Sequence, residues 1–126
     1  SSGISEAVGY AAVSTAIALN ADCIITPTFY GQTARLIAHF RPKMPIYGVS
    51  PHDRAMRRMQ LYWGVYPYKG MMEESSTKIM RNSLKVLKEK GKVKKDDLVV
   101  FTAGDAATND VDGKSMTNMM NVVVVK

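Results

Sequence analysis

Thr26-Pro27-Thr28-Phe29-Tyr30-Gly31-Gln32-Thr33-Ala34-Arg35 follows the short apolar run Cys23-Ile24-Ile25 and leads into a helical pattern through a turn rich in hydroxyls. The order reads strand, loop, helix. At such a junction the first N–H groups of the helix have no acceptor inside it, and the helix dipole adds a partial positive charge, so an anion, above all a phosphate, is the natural guest. Thr28, Tyr30 and Thr33 offer side-chain donors, Gly31 permits close approach of the backbone, and Gln32 can direct its amide inward.

Upstream, Val8, Ala11, Ala12, Thr15, Ala18 and Leu19 recur at helical spacing from Ser5 to about Leu19, with Ser5 placed to cap the first turn and Asn20 suited to a left-handed stop. Ala7, Ala11 and Ala18 suggest a helix lying close against a sheet. Cys23 to Thr26 lacks alternation, as does a strand buried on both faces, which favours a parallel sheet. Downstream, Leu36, Ile37 and Phe40 face inward on a helix from about Gly31 to Phe40, which Pro42 and Pro45 end.

Ile46 to Val49 reads as a second strand, and Ser50-Pro51-His52-Asp53 as a capping serine, a proline at the first helical position and an acid at the third. That helix carries Met56 and Met59 inward and Arg54, Arg57 and Arg58 outward, before a strand-like run from Trp63 to Pro67. After a connector from Tyr68 to Met72, a long helix from about Glu73 to Lys90 presents Ile79, Met80, Leu84 and Leu87, and Gly91 stops it. Leu98 to Thr102 is a strong strand signal, a polar loop covers Ala103 to Ser115, and Val122 to Val125 closes the chain as a strand. Strands alternating with helices predict a three-layer α/β sandwich with a mostly parallel sheet. Ligands of such sheets sit beyond the carboxyl ends of strands near a switch in strand order, so the loops after Thr26 and after Thr102 are expected to share a crevice.

The 126 residues, 46% of them hydrophobic, suit one core, and no internal repeat or linker marks a boundary. A single domain over residues 1–126 is expected. The lone Cys23 excludes an internal disulfide, reads as a small buried hydrophobe and suits a reduced, cytoplasmic setting. No apolar run approaches the roughly 20 residues of a membrane span, so no membrane partner is expected. The leading Ser1-Ser2-Gly3 reads as a cloning remnant. A net charge of +6 raises nucleic acid as a partner, but its distribution argues against one. Lys85 to Lys95 crowd a helix end, where cations complement the dipole, and the three arginines form an ordinary solvated face.

Several motifs stand together in order: Ala21-Asp22-Cys23-Ile24-Ile25-Thr26-Pro27-Thr28; Gly31-Gln32-Thr33-Ala34-Arg35; Arg41-Pro42-Lys43-Met44-Pro45-Ile46; Trp63-Gly64-Val65-Tyr66-Pro67; Val93 to Val100 with Thr102-Ala103-Gly104; and Thr117-Asn118 before the last strand. With them the chain resembles the C-terminal domain of pyruvate kinase over nearly its whole length. The resemblance implies a five-stranded sheet whose last strand is antiparallel. It also implies a domain that binds phosphorylated regulators, a sugar phosphate or a nucleotide, and assembles subunits into a homotetramer. Phosphoryl transfer from phosphoenolpyruvate to ADP, with Mg²⁺ and K⁺, then belongs to a separate β/α barrel. Such a barrel needs about 250 residues and is absent from this chain. No catalytic residue, metal ligand or cofactor is assigned within it, and the domain alone is expected to be inactive.

The expected effector site comprises Thr28, Tyr30, Gly31, Gln32 and Thr33 from the opening stretch with Lys114 and Ser115 from the second loop. Where the family commonly has serine, this chain has Tyr30, whose ring would either fill the pocket or swing away. The second loop carries Asp105, Asp110 and Asp112, which would repel a phosphate. Asp110, Asp112 and Gly113 imitate part of a calcium-binding EF-hand loop, but Thr108 and Met119 stand where ligands belong and a strand pattern follows. His39 and His52 read as surface or packing residues, the nine methionines as flexible filling, and Trp63 as packed on the sheet. Two alternatives accompany the regulatory reading: a purely structural interface domain with a blocked effector pocket, and a free-standing phospho-ligand-binding protein. Val122 to Val125, apolar up to Lys126, is expected to pair across a two-fold axis in at least a dimer.

Overall fold

The apolar run Cys23–Pro27 forms the centre of a five-stranded sheet of order β3-β2-β1-β4-β5. The computed structural model describes residues 2–103 and 117–126. In chain order the elements are α1 (Ser2–Leu19), β1 (Cys23–Pro27), α2 (Gln32–His39), β2 (Ile46–Ser50), α3 (Asp53–Met59), β3 (Val65–Lys69), α4 (Ser76–Glu89), β4 (Leu98–Ala103) and β5 (Met119–Val124). β1 pairs in parallel with β2 and β4, β2 pairs in parallel with β3, and only β5 runs antiparallel, against β4.

The sheet is covered unequally. On one face Ile24, Ile46, Val65 and Val100 meet α1, α2 and α3 through Val13, Ala16, Ile37 and Met59. On the other, Ile25, Val49, Val99 and Phe101 meet α4 through Ile79 and Leu87. Right-handed crossovers dictate this division: α2 and α3 carry the chain outward from β1 to β3, and α4 must pass behind the sheet to bring β4 back beside β1. All five residues of β1 and of β2 are buried, so neither strand alternates.

The ends of α1 and α4 follow the expected chemistry, and the starts of α1 and α3 do not. Asn20 and Gly91 are left-handed, at φ 57° and 71°. Each is flanked by the paired bonds of a Schellman stop: Ala21 N–H to Ala16 O and Asn20 N–H to Ile17 O, then Lys92 N–H to Leu87 O and Gly91 N–H to Lys88 O. α1, however, begins at Ser2 and leaves Ser5 inside the helix. Its buried positions are Gly9, Ala12, Val13 and Ala16, while Ala7, Ala11 and Ala18 are exposed. The reason is that apolar residues surround this helix, with Ile4, Tyr10, Ile17 and Leu19 exposed, so periodicity did not set its phase. A Cβ on Gly9 would stand 3.2 Å from Leu36 Cδ2, and this close approach to α2 selects the buried face. α3 starts at Asp53 behind His52. Ser50 remains in β2, and its hydroxyl accepts from His52 N–H at 3.2 Å instead of capping a helix at Pro51.

Candidate functional site

The carboxyl ends of β1 and β4 lie side by side where the chain order reverses, and hydroxyls gather there. Cys23, Ile24 and Ile25 align with Val99, Val100 and Phe101. One step further Thr26 therefore stands opposite Thr102, on the face that α2 covers. Both are fully buried, and the hydroxyl of each finds no hydrogen-bond partner among the described residues. A buried hydroxyl left unpaired is destabilising, so two at one seam mark an unsatisfied acceptor and donor site. Above them α2 begins without a side-chain cap, and Arg35 N–H is the first to reach an acceptor, Gly31 O at 3.0 Å. The preceding N–H groups of α2 remain open to an anion.

Thr33, in the first turn of α2, joins its hydroxyl to that of Thr117 at 2.8 Å. Thr117 is buried at the entrance to β5, and the next residue, Asn118, gives its N–H to Ala103 O. This bond brings the loop after β1 and the chain entering β5 together at one crevice. Lys114, Ser115 and the acidic residues Asp105, Asp110 and Asp112 lie outside the described residues.

The remaining expected residues lie around this crevice and its rim. Thr28 is buried, and its hydroxyl accepts from Gly31 N–H at 3.0 Å, so it holds the turn. Gly31 adopts φ 94°, and a Cβ there would meet Met59 Cγ at 3.2 Å. Glycine is required at this position by backbone conformation and by α3. Gln32 is exposed and lines a groove of about 460 Å³ with Arg35, His39, Arg41 and Trp63. Tyr30 swings outward. Its ring lies parallel to His52 at 5.0 Å and 5°, and Phe29 stands 6.3 and 6.2 Å from the two. Ser50 fixes this rim, because its hydroxyl donates to Phe29 O at 2.9 Å while accepting from His52. The parallel Tyr30–His52 stack was not legible beforehand, since two loops from different strands must meet to form it.

A larger groove, about 610 Å³, opens at the amino ends of β2 and β3, where Tyr47, Tyr66, Tyr68 and Trp63 line it. No residue of a helix's first turn lines it, so the crevice beneath α2 is the better anion site. Trp63 does not pack on the sheet as expected: it is 51% exposed, with the Arg41 guanidinium 5.1 Å above its ring. Burial pushes the Cys23 thiol up to about 12, which leaves it protonated and inert. Among the described residues no group of His, Cys, Asp and Glu converges to hold a metal ion. Asp22, Asp53 and Asp97 are engaged by Leu98 N–H, Lys69 and Lys94. No helix among the described residues is long and apolar enough to cross a membrane.

The strand order and the single antiparallel edge define a three-layer α/β sandwich with a crevice at its switch point. The family model for the pyruvate kinase alpha/beta domain matches residues 6–123. Pyruvate kinase of Bacillus licheniformis is 35% identical over 125 residues, covering 99% of this chain and 20% of its own length. That of Geobacillus stearothermophilus is 34% identical over 122 residues, covering 97% and 20%, and that of Clostridium acetobutylicum is 35% identical over 122 residues, covering 97% and 25%. The chain belongs to the pyruvate kinase C-terminal α/β domain family, and it spans between a fifth and a quarter of the length of these relatives.

Proposed function

We propose that this domain binds a phosphorylated effector and assembles subunits for a pyruvate kinase whose chemistry is carried on another part of the chain. That parent would transfer the phosphoryl group of phosphoenolpyruvate to ADP, giving pyruvate and ATP in glycolysis in the cytoplasm, with Mg²⁺ and K⁺ held by the barrel. The domain by itself would be inactive. One observation carries the effector role: Thr26 and Thr102 present unpartnered buried hydroxyls beneath the open N–H groups of α2, at the seam where two strand ends adjoin. The phosphate would sit on the N–H groups of Gln32 and Thr33, with the Thr33 and Thr117 hydroxyls turning from each other toward it.

Titration calorimetry of this chain with inorganic phosphate, hexose phosphates and nucleoside monophosphates tests the reading. Binding that Thr33→Val reduces at least tenfold is expected. No heat with any of these ligands rejects the effector role and leaves a structural interface domain. Blockage by Tyr30 is disfavoured, because its ring is half exposed and rests on His52 rather than on the α2 terminus. Tyr30→Ser is therefore expected to leave the affinity for inorganic phosphate unchanged.

A further inference from the structure

We propose that the outward face of α2 and the turn after α3 form a cationic trough that takes an extended acidic peptide of a partner protein, with carboxylates at alternate residues. Charge is segregated along this chain. Between residues 23 and 72, Arg35, Arg41, Lys43, Arg54, Arg57, Arg58 and Lys69 stand against one acid, Asp53, so this segment carries the whole formal charge of +6 and the rest of the chain is balanced. That one acid is already paired with Lys69 at 3.0 Å. Within this field a groove of about 460 Å³ is lined by Gln32, Arg35, His39 and Arg41 from α2 and its end, and by Tyr62 and Trp63 from the turn after α3. No acid lines it, and among the described residues neither Arg35 nor Arg41 meets a carboxylate. Like charges gathered without a counter-charge repel, so the fold gains nothing from this arrangement, whereas an anionic partner would.

Arg41 is held in the trough at some cost. It is left-handed, at φ 52°, where glycine or asparagine would be less strained, and its N–H bonds Ala38 O at 3.0 Å. Its guanidinium lies 5.1 Å above the Trp63 ring, which fixes the charge at one end of the groove. The spacing selects the ligand. Arg35 and His39 are four residues apart on one face of α2, a rise of about 6 Å, and alternate residues of an extended strand are about 6.6 Å apart. Gln32, exposed on the same face, adds an amide that can pair with the peptide backbone. From Gln32 to His39 the donors span about 10 Å, too far for one small anion to bridge. A nucleic acid would need successive stacking faces. Only Trp63 offers one, since Tyr62 is half-buried against the core. The trough lies on the solvent side of α2 and the crevice on its sheet side, so the inference does not depend on the phosphate reading.

Trp63 is the single tryptophan of the chain, so its emission reports on the trough directly. The test titrates this chain at low ionic strength with a five-residue peptide of alternating glutamate and alanine, and with an isomer whose three glutamates are adjacent. The alternating peptide is expected to change Trp63 emission and to bind several times more tightly than its isomer. Arg35→Glu, on an exposed helix face, should weaken it by about fivefold or more, with circular dichroism unchanged. Arg54→Glu, exposed on α3 outside the trough, should weaken it less than twofold, and Thr33→Val should leave it unaltered. No change in Trp63 emission at millimolar peptide overturns the proposal. Equal binding of the two isomers, or equal loss in Arg35→Glu and Arg54→Glu, also overturns it, because either result reduces the trough to a diffuse positive field. An oligothymidylate that binds more tightly than the peptide and loses affinity in Arg35→Glu overturns it in favour of a nucleic-acid groove.

Discussion

Gly31 and Gly48 meet the same side chain from two directions. A Cβ on Gly48 would lie 2.4 Å from Met59 Sδ, and one on Gly31 would lie 3.2 Å from Met59 Cγ, in a residue that is fully buried. Gly48→Ala is expected to destabilise the protein by about 1–3 kcal/mol through overpacking. Gly31→Ala should cost about 1–2 kcal/mol, because its φ of 94° is also strained for any residue with a Cβ. Urea denaturation checks both, and combining Gly48→Ala with Met59→Ala should give less than the sum of the single losses if the shared contact is the cause. Gly31 shows how far a residue can be read in advance. Close approach of the backbone was legible there from the strand-to-helix junction, whereas the left-handed φ was not, and the contact with Met59 depends on how α3 docks. Thr28 was legible as a turn hydroxyl, and while it accepts from Gly31 N–H its own proton stays available to donate. Thr26 and Thr102 were missed as site residues, although both stood at recognised strand ends. Their importance lies in missing partners, which no spacing in the sequence records.

At the scale of elements, the turn between α4 and β4 is closed by one carboxylate and tied by backbone bonds to the residue that follows β5. Asp97 accepts from Lys94 N–H at 3.0 Å and from Lys94 Nζ at 2.9 Å, while Val125 N–H bonds Asp97 O and Asp96 N–H bonds Val125 O. The Lys94 side-chain bond, reinforced by its backbone N–H, holds the Asp97 carboxyl below its ordinary value of 3.8. A carboxyl lowered on folding adds stability that is complete above the ordinary value and is lost as pH falls through the lowered one. Asp97→Asn is therefore expected to destabilise the protein by about 1–3 kcal/mol at pH 7. Its urea midpoint should approach that of the unaltered protein as pH falls below 3.8, and a pH-independent difference would refute this assignment. The left-handed stops at Asn20 and Gly91 were anticipated from the pattern of turns and apolar runs and the antiparallel edge from the family resemblance, whereas the strand order was not. The face of α1 was not, because a helix apolar on all sides acquires its phase only from its neighbours.

Across the whole molecule, the sheet ends in an edge that invites a partner. Val122 and Val124 are 45% and 58% exposed on β5, and their register opposite Val100 and Leu98 places them on the face that carries α1. Ile4, Tyr10 and Ile17 are also exposed on α1, so an apolar surface exists on both elements. We expect this edge to pair with its counterpart across a two-fold axis, and light scattering at high protein concentration should show a dimer or larger that Val124→Lys reverts to monomer. A monomer at every concentration would exclude that role for β5. The seam holding Thr26 and Thr102 has a consequence in time as well as in space. During synthesis β1, α2, β2, α3 and β3 leave the ribosome as consecutive units able to pair in sequence, but the other flank of β1 waits for Val99 to Phe101. Throughout that interval the strand that will lie at the centre is an open edge, and the nascent chain is most in need of shielding then.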